Sequence, residues 1–193
     1  MPHPIKYLKN LIKNQSHLRL VTQSQQGNKY AFASLYQTYR NPIYRYLFFR
    51  TNQDQSTAED LTQITFTKAW EKLDKFSSSK GTFQAWLYRI AHNLLIDHYR
   101  HSSTHTSQDL NPNIPDHQPT PEQQLDHKTT RQNLYQAINQ LKPSQQQLII
   151  LHHIEGLSYQ EIAHITHKHP DALRAINHRA LKRLKQLISQ HEN

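Results

Sequence analysis

The chain has no cysteine, which excludes a disulfide framework and any thiolate metal site. It has three glycines in 193 residues, too few for the turns of a many-stranded sheet protein. It has no run of roughly 18 apolar residues, so no transmembrane helix and no membrane insertion are expected. The N-terminus lacks an apolar core followed by a small-residue cleavage site, so the expected location is the cytoplasm. Acidic residues are in deficit: 14 Asp and Glu face 23 Lys and Arg, for a formal net charge of +9 and a pI near 9.7. That surplus points to a polyanionic partner, nucleic acid before membrane, and says nothing about fold. There is no phosphate-binding glycine loop, nucleophile elbow or convincing catalytic pair, so no enzyme, no cofactor and no small-molecule substrate are expected. Apolar residues make up 35% of the chain and the mean hydropathy is −0.87, so any core is lean. Where apolar residues recur they do so at three-and-four spacing. The expected class is all-α: two small helical domains joined by a flexible linker.

The most informative stretch runs from Leu157 to Leu187. Ser158 is a good N-cap and Glu161 follows three residues on, which makes a capping box. Ile162, Ala163 and Ile165 give this short helix a buried side. Pro170 suits the first position of the next helix, and Asp171 suits the positive end of its dipole. Leu173, Ile176, Ala180, Leu184 and Leu187 then recur at helical spacing. The other side carries Arg174, Asn177, His178, Arg179, Lys182, Arg183 and Lys185. A short helix, a tight turn and a helix that is basic outside and apolar inside describe a helix-turn-helix whose second helix enters a major groove. A solvated helical hairpin is the plain alternative, and the cap, turn and one-sided charge together weigh against it. His167 stands where such turns usually carry glycine, at a cost of about 1 kcal/mol.

Earlier in the chain, residues 1–18 are basic, with Ile5, Leu8, Leu11 and Ile12 on one helical face. That face is too short for a convincing membrane-surface helix. Gly27 is placed to end a helix. Tyr30–Tyr39 forms the next, and Pro42 opens another, with aromatics that read as core. Thr57 caps a helix through Trp70 with Leu61, Thr65 and Ala69 inside. Asp60, Gln63 and Ile64 then face outward, and composition does not decide whether Ile64 is a scattered surface residue or part of a partner surface. Ser77–Gly81 is a polar loop. Phe83–Arg100 is a helix with Phe83, Trp86, Leu87, Ile90, Leu94 and Leu95 on its apolar side and Arg89, His92, Asn93, Asp97, Tyr99 and Arg100 on a polar flank. Rings beside basic and amide groups can hold unstacked bases. Residues 102–126 change character: four prolines, four acids and no Lys or Arg make a flexible, mildly acidic linker. Leu134, Ile138 and Leu141 begin a second domain, and Leu148, Ile149, Leu151 and Ile154 form its next helix. The expected boundaries are an extension at 1–18, a first domain at 19–101, the linker at 102–126 and a second domain at 127–193. A linker of roughly 25 residues reaches at most about 80 Å, against roughly 70 Å for two turns of duplex.

Fifteen histidines, with His164, His167 and His169 gathered at the turn, raise the question of metal. Without cysteine and without HExxH spacing, surface histidine is the better reading, and no metal site is expected.

The motifs together resemble one family. Phe32–Tyr39, the run Ala58-Glu59-Asp60-Leu61-Thr62-Gln63 with Phe66 and Trp70, Phe83-x-x-Trp86-Leu87-Tyr88-Arg89-Ile90-Ala91-His92-Asn93 and Ile96-Asp97-His98-Tyr99-Arg100 resemble the first conserved domain of extracytoplasmic-function (ECF) bacterial RNA polymerase sigma factors. Leu141-Lys142-Pro143, Glu155–Ala163 and His178-Arg179-Ala180-Leu181 resemble the second. The resemblance implies core RNA polymerase and promoter DNA as partners, with an anti-sigma factor as a further one. It implies a polymerase interface at Asp60, Gln63, Ile64, Phe66 and Trp70, some of them as support. It implies capture of downstream (minus-ten) bases by Ser79, Lys80, Phe83, Arg89, His92, Asn93 and Arg100. It implies reading of the upstream (minus-thirty-five) element by Asp171, Arg174, Asn177, His178, Arg179 and Lys182. Ile64 departs from the family's usual acidic residue. No third module is expected. The rival from another class is a stand-alone helix-turn-helix regulator that binds duplex DNA without polymerase.

Overall fold

The computed structural model describes the backbone of residues 4–105 and 134–191 and the side chains of 15–101 and 134–189. Among the described residues every regular element is helical. The acidic linker, and the apolar face of Ile5, Leu8, Leu11 and Ile12, lie outside what is described at side-chain level.

Helix α1 (Pro4–Gln25) runs unbroken across positions 18 and 19, so the extension and the first domain share one helix. It ends as its glycine implies, with Gly27 at φ 91° and Asn28 N–H donating to the Gln23 carbonyl at 3.0 Å. The same Asn28 caps α2 (Lys29–Arg50), accepting from the backbone N–H groups of Tyr30 and Ala31. Pro42 does not begin a new helix, contrary to the sequence reading; it sits inside α2. Proline usually breaks a helix because it lacks a donor and crowds the preceding turn. Here Leu35, Tyr39, Ile43, Tyr46 and Leu47, on both sides of it, are all buried on one face, and that shared packing outweighs the lost bond.

Helix α3 (Gln55–Glu71) begins earlier than Thr57. Its cap is Asp54, whose carboxylate accepts from the Thr57 N–H at 3.1 Å and from the Thr57 hydroxyl at 2.7 Å. Those bonds hold the Asp54 carboxyl below its ordinary pKa. Ala58, Leu61, Thr65 and Ala69 face the core. Two tight turns (Leu73–Lys75 and Ser78–Lys80) lead to α4 (Phe83–His105). Between them and α4, Gly81 has φ 132° and ψ −179°, a conformation that is strained for any residue with a Cβ.

The second group of helices is α5 (134–139), α6 (Pro143–Leu148), α7 (Tyr159–Thr166) and α8 (Pro170–His191). The helix expected through Leu148 and Ile154 is not uniform: α6 passes into a π-helical segment, Ile149–Ile154. Leu148, Ile149, Ile150 and Leu151 are four consecutive buried residues. A regular α-helix of 3.6 residues per turn cannot aim four neighbours at one side, and the wider π turn eases that conflict. The two groups touch. α4 packs on α7, α2 packs on α6, and their apolar residues form one continuous core.

Candidate polymerase and nucleic-acid surfaces

One face of α3 is buried along its length and the other is open. Asp60 and Gln63 are exposed, and Ile64 is 41% and Trp70 39% exposed. Asp60, Gln63 and Ile64 share an outward strip with Thr67, Lys68 and Glu71, and Trp70 lines a neighbouring hollow with Gln25 and Leu73. Phe66 is different: it is 4% exposed and meets Tyr36 edge-on, with ring centroids 4.8 Å apart. Trp70 meets Phe32 in the same way, also at 4.8 Å. Phe66 therefore lies beneath the strip, as one of the supporting residues among the candidates.

The downstream candidates divide. Ser79, Lys80, Arg89, Asn93 and Arg100 are exposed. Arg100 lies 3.9 Å from Asp97. Phe83 is 3% exposed. It packs against Tyr39, Phe76 and Trp86 at centroid distances of 5.5–5.6 Å, so it cannot take a base without dismantling the core. His92 is 9% exposed. Its Nδ1 lies 3.2 Å from the Tyr46 hydroxyl and 3.1 Å from the Gln147 amide. Burial, with help from the Arg50 and His167 charges, lowers its pKa to about 4, so the ring is neutral and its Nδ1 accepts. The two corrections have different causes. Phe83 belongs to the apolar stripe that α4 turns to its own helical group, whereas His92 lies, with Tyr88 and Ala91, on a further stripe that is buried because α4 also packs on the second group.

A cleft remains between the 75–82 loop, α4 and α7. Lys75, Lys80 and Arg89 supply its positive charge and Trp86 its ring, while Glu161 and His164 of α7 form the opposite wall. Gln25 holds the loop from behind, its amide donating to the carbonyls of Leu73 at 2.9 Å and Phe76 at 3.1 Å. Thr82 begins α4 by accepting from the Ala85 N–H at 3.2 Å, and its hydroxyl donates to Glu161 at 2.5 Å.

The helix-turn-helix forms as its local signals imply. Ser158 and Glu161 cap reciprocally at 2.9 and 3.2 Å, His167 takes φ 56° and ψ 29° at the turn, and α8 opens at Pro170. Leu173, Ala180 and Leu187 are buried, and Ile176 and Leu184 pack at the rim. Asp171, Arg174, His178, Arg179 and Lys182 are exposed on the outer side. Arg174 pairs with Asp171 and lies over the Tyr159 ring, 5.6 Å from its centroid. Tyr159 in turn stacks on His152 at 4.3 Å. Asn177 is half-buried and bonded to His153 at 2.8 Å, so it braces the helix and does not stand free like Arg179. No group of three His, Asp or Glu suited to a metal occurs among the described residues, and no helix there is long and apolar enough to cross a membrane.

Sequence reasoning missed the residues that join the two helical groups, Arg45 with Glu155 and Tyr46 with Gln147, and the Tyr88 phenol buried beside them, whose hydroxyl makes no hydrogen bond among the described residues. Burial first, then the neighbouring Glu155 carboxylate, raises the Tyr88 pKa well above 10. The one local hint was polarity inside an apolar run, in Gln146 and Gln147.

Comparison with known proteins fits this geometry. The Sigma-70 region 2 family matches residues 35–104, and the Sigma-70, region 4 family matches 131–184. The RNA polymerase sigma factor YlaC of Bacillus subtilis is 36% identical over 159 residues, covering 81% of this chain and 91% of that protein. The ECF RNA polymerase sigma factor BldN of Streptomyces coelicolor is 33% identical over 175 residues, covering 89% of this chain; the chain spans 65% of BldN's length. The structure of the sigma factor RpoE from Bartonella quintana, in complex with the anti-sigma factor NepR, superimposes with a TM-score of 0.67 at 25% identity, covering 82% of this chain and 96% of that one. With a region 2 and a region 4 on one polypeptide, and the matching helices in place, the chain belongs to the ECF family of RNA polymerase sigma factors.

Proposed function

We propose that the chain binds core RNA polymerase, directs it to a set of promoters and helps open their strands. The observation that carries this reading is the pairing on one chain of two outward surfaces: the α3 strip and the basic side of α8. In this reading Asp60, Gln63, Ile64 and Trp70 dock on polymerase, with Phe66 beneath them. Ser79, Lys80, Arg89, Asn93 and Arg100 hold unpaired downstream bases beside Trp86. Asp171, Arg174, His178, Arg179 and Lys182 lie in the upstream major groove, with Asn177 as support. Strand opening draws on the binding of flipped bases, at a few kcal/mol per unstacked step. The chain performs no covalent chemistry; polymerase supplies that. The working compartment is the cytoplasm, and a protein of the anti-sigma type is a natural inhibitor.

Transcription from genomic fragments with core polymerase, with and without the chain, tests this. The expected result is a discrete set of new start sites. Tight sequence-specific duplex binding by the chain alone, unchanged by core polymerase, would replace this reading with the stand-alone regulator.

A further inference from the structure

Tyr159 stands at the first position of α7, Arg174 stands on the outer side of α8, and the turn at His167 folds one over the other. The guanidinium carbon of Arg174 lies 5.6 Å from the centroid of the Tyr159 ring. Nη1 of the same side chain pairs with the Asp171 carboxylate. Against the Tyr159 ring lies His152 of the π-helical segment, stacked at 4.3 Å with 29° between the planes. That imidazole is fixed in turn. The chain reverses at Gly156, which takes φ 76°, and brings the Leu157 carbonyl to 2.7 Å from His152 Nδ1. A carbonyl oxygen only accepts, so Nδ1–H donates. The next residue adds a second support: His153 Nε2 lies 2.8 Å from Asn177 Oδ1. Two adjacent residues of the π-helical segment therefore brace α8 twice, at Arg174 through Tyr159 and at Asn177 directly.

We propose that Tyr159, backed by His152, is a positioning residue for promoter specificity: it presents Arg174 to a guanine of the upstream element, although it does not lie on the groove-entering helix itself. This role rests on the proposed function, in which α8 enters the upstream groove. The chemistry suits it. Attraction between a cation and a ring face involves the charge as a whole and uses up no N–H. Asp171 takes Nη1. Among the described residues, the Nε–H and Nη2–H donors, side by side along one edge of the fork, are left for a base. Guanine offers two acceptors, O6 and N7, side by side in the major groove, and a forked donor meets both. An arginine loses much rotamer freedom when it settles on a base, and one held beforehand loses less. The ring therefore acts where geometry is most demanding, in the choice of guanine over other bases. It adds little to overall affinity, which phosphate contacts dominate.

Selection by holoenzyme, assembled from core polymerase and the full chain, from a duplex promoter library randomised over the upstream element tests this. The wild type should prefer guanine at one position where Arg174→Lys, which keeps the charge and loses the fork, abolishes the preference. At that position Tyr159→Met, which keeps apolar bulk, should lower the preference about two- to fivefold, the worth of a cation–ring contact at an exposed site. The other positions should not change. Tyr159→Phe should keep the wild-type preference. His152→Asn, which retains a donor for the Leu157 carbonyl and removes the ring, should lower it less than Tyr159→Met does. In an Arg174→Lys background, Tyr159→Met should alter no position further. Equal weakening at every position, in either background, would overturn the positioning and leave Tyr159 a packing residue. So would a guanine preference kept in full by a folded Tyr159→Met chain; should that variant not fold, Tyr159→Leu and His152→Asn decide by the same cycle. A wild type with no base preference anywhere upstream would overturn the functional reading and this role with it. Preferences elsewhere, with none for guanine that depends on Arg174, would overturn this role alone.

Discussion

α4 and α8 carry similar signatures in the sequence, an apolar stripe beside a mixed basic flank, yet α8 keeps its charged flank exposed while α4 loses part of its own. Arg174, His178, Arg179 and Lys182 are all exposed. On α4, His92 of the flank has joined Phe83 of the apolar stripe in the core, and Arg89, Asn93 and Arg100 remain exposed. α8 packs against its own group on one side, so one stripe is buried. α4 is shared by two groups, so two stripes are. Helical periodicity reports how many residues can share a face; it does not report how many faces have neighbours.

The sharpest way to break this contrast is Phe83→Ala. Removing a ring packed on three others should cost about 3–5 kcal/mol, read by denaturant unfolding. A loss below about 1 kcal/mol would return Phe83 to the surface. Next comes pH. The depressed His92 pKa means that its contribution to stability is complete above pH 6.5 and lost as pH falls towards about 4. Protonation would turn the accepting Nδ1 into a donor facing Tyr46 and Gln147, near the Arg50 guanidinium and His167. Melting between pH 7 and 4 should show a loss on the order of 2 kcal/mol from this group, reduced in His92→Gln. On α8 the reverse pattern is expected. Arg179→Ala should leave stability within about 0.5 kcal/mol while weakening upstream-element recognition by about 1–3 kcal/mol, measured by footprinting with core polymerase. Asp60→Ala with Gln63→Ala should weaken core binding in a pull-down and spare duplex binding. The smallest effect belongs to His167→Gly, which relieves a left-handed backbone and should stabilise by about 0.5–1 kcal/mol.

Legibility followed the range of the interactions. The helix-turn-helix could be read closely because its signals are local: Ser158 with Glu161, the turn at His167, Pro170. The inner face of α3 was legible from spacing, but its start was not, since Thr57 is an equally good cap in sequence and Asp54 wins by bonding to it. Pro42 misled because its cost is local while the compensating burial of Ile43, Tyr46 and Leu47 comes from α2's neighbours. Arg45 and Glu155 are 110 positions apart, and no periodicity relates them. The outward turn of Asp60, Gln63 and Ile64 could be read; the support role of Phe66 became clear only once Tyr36 lay against it.

The π-helical segment sets more than local packing. Each residue of a regular helix advances the direction of the next by about 100°. Deleting one residue within Ile149–Ile154 would therefore rewind the rod and swing Glu155 to another compass bearing, while α7 and α8 keep their own caps and turn. The length of that one coil acts as a phase setting, deciding which side of the C-terminal reader greets the rest of the chain.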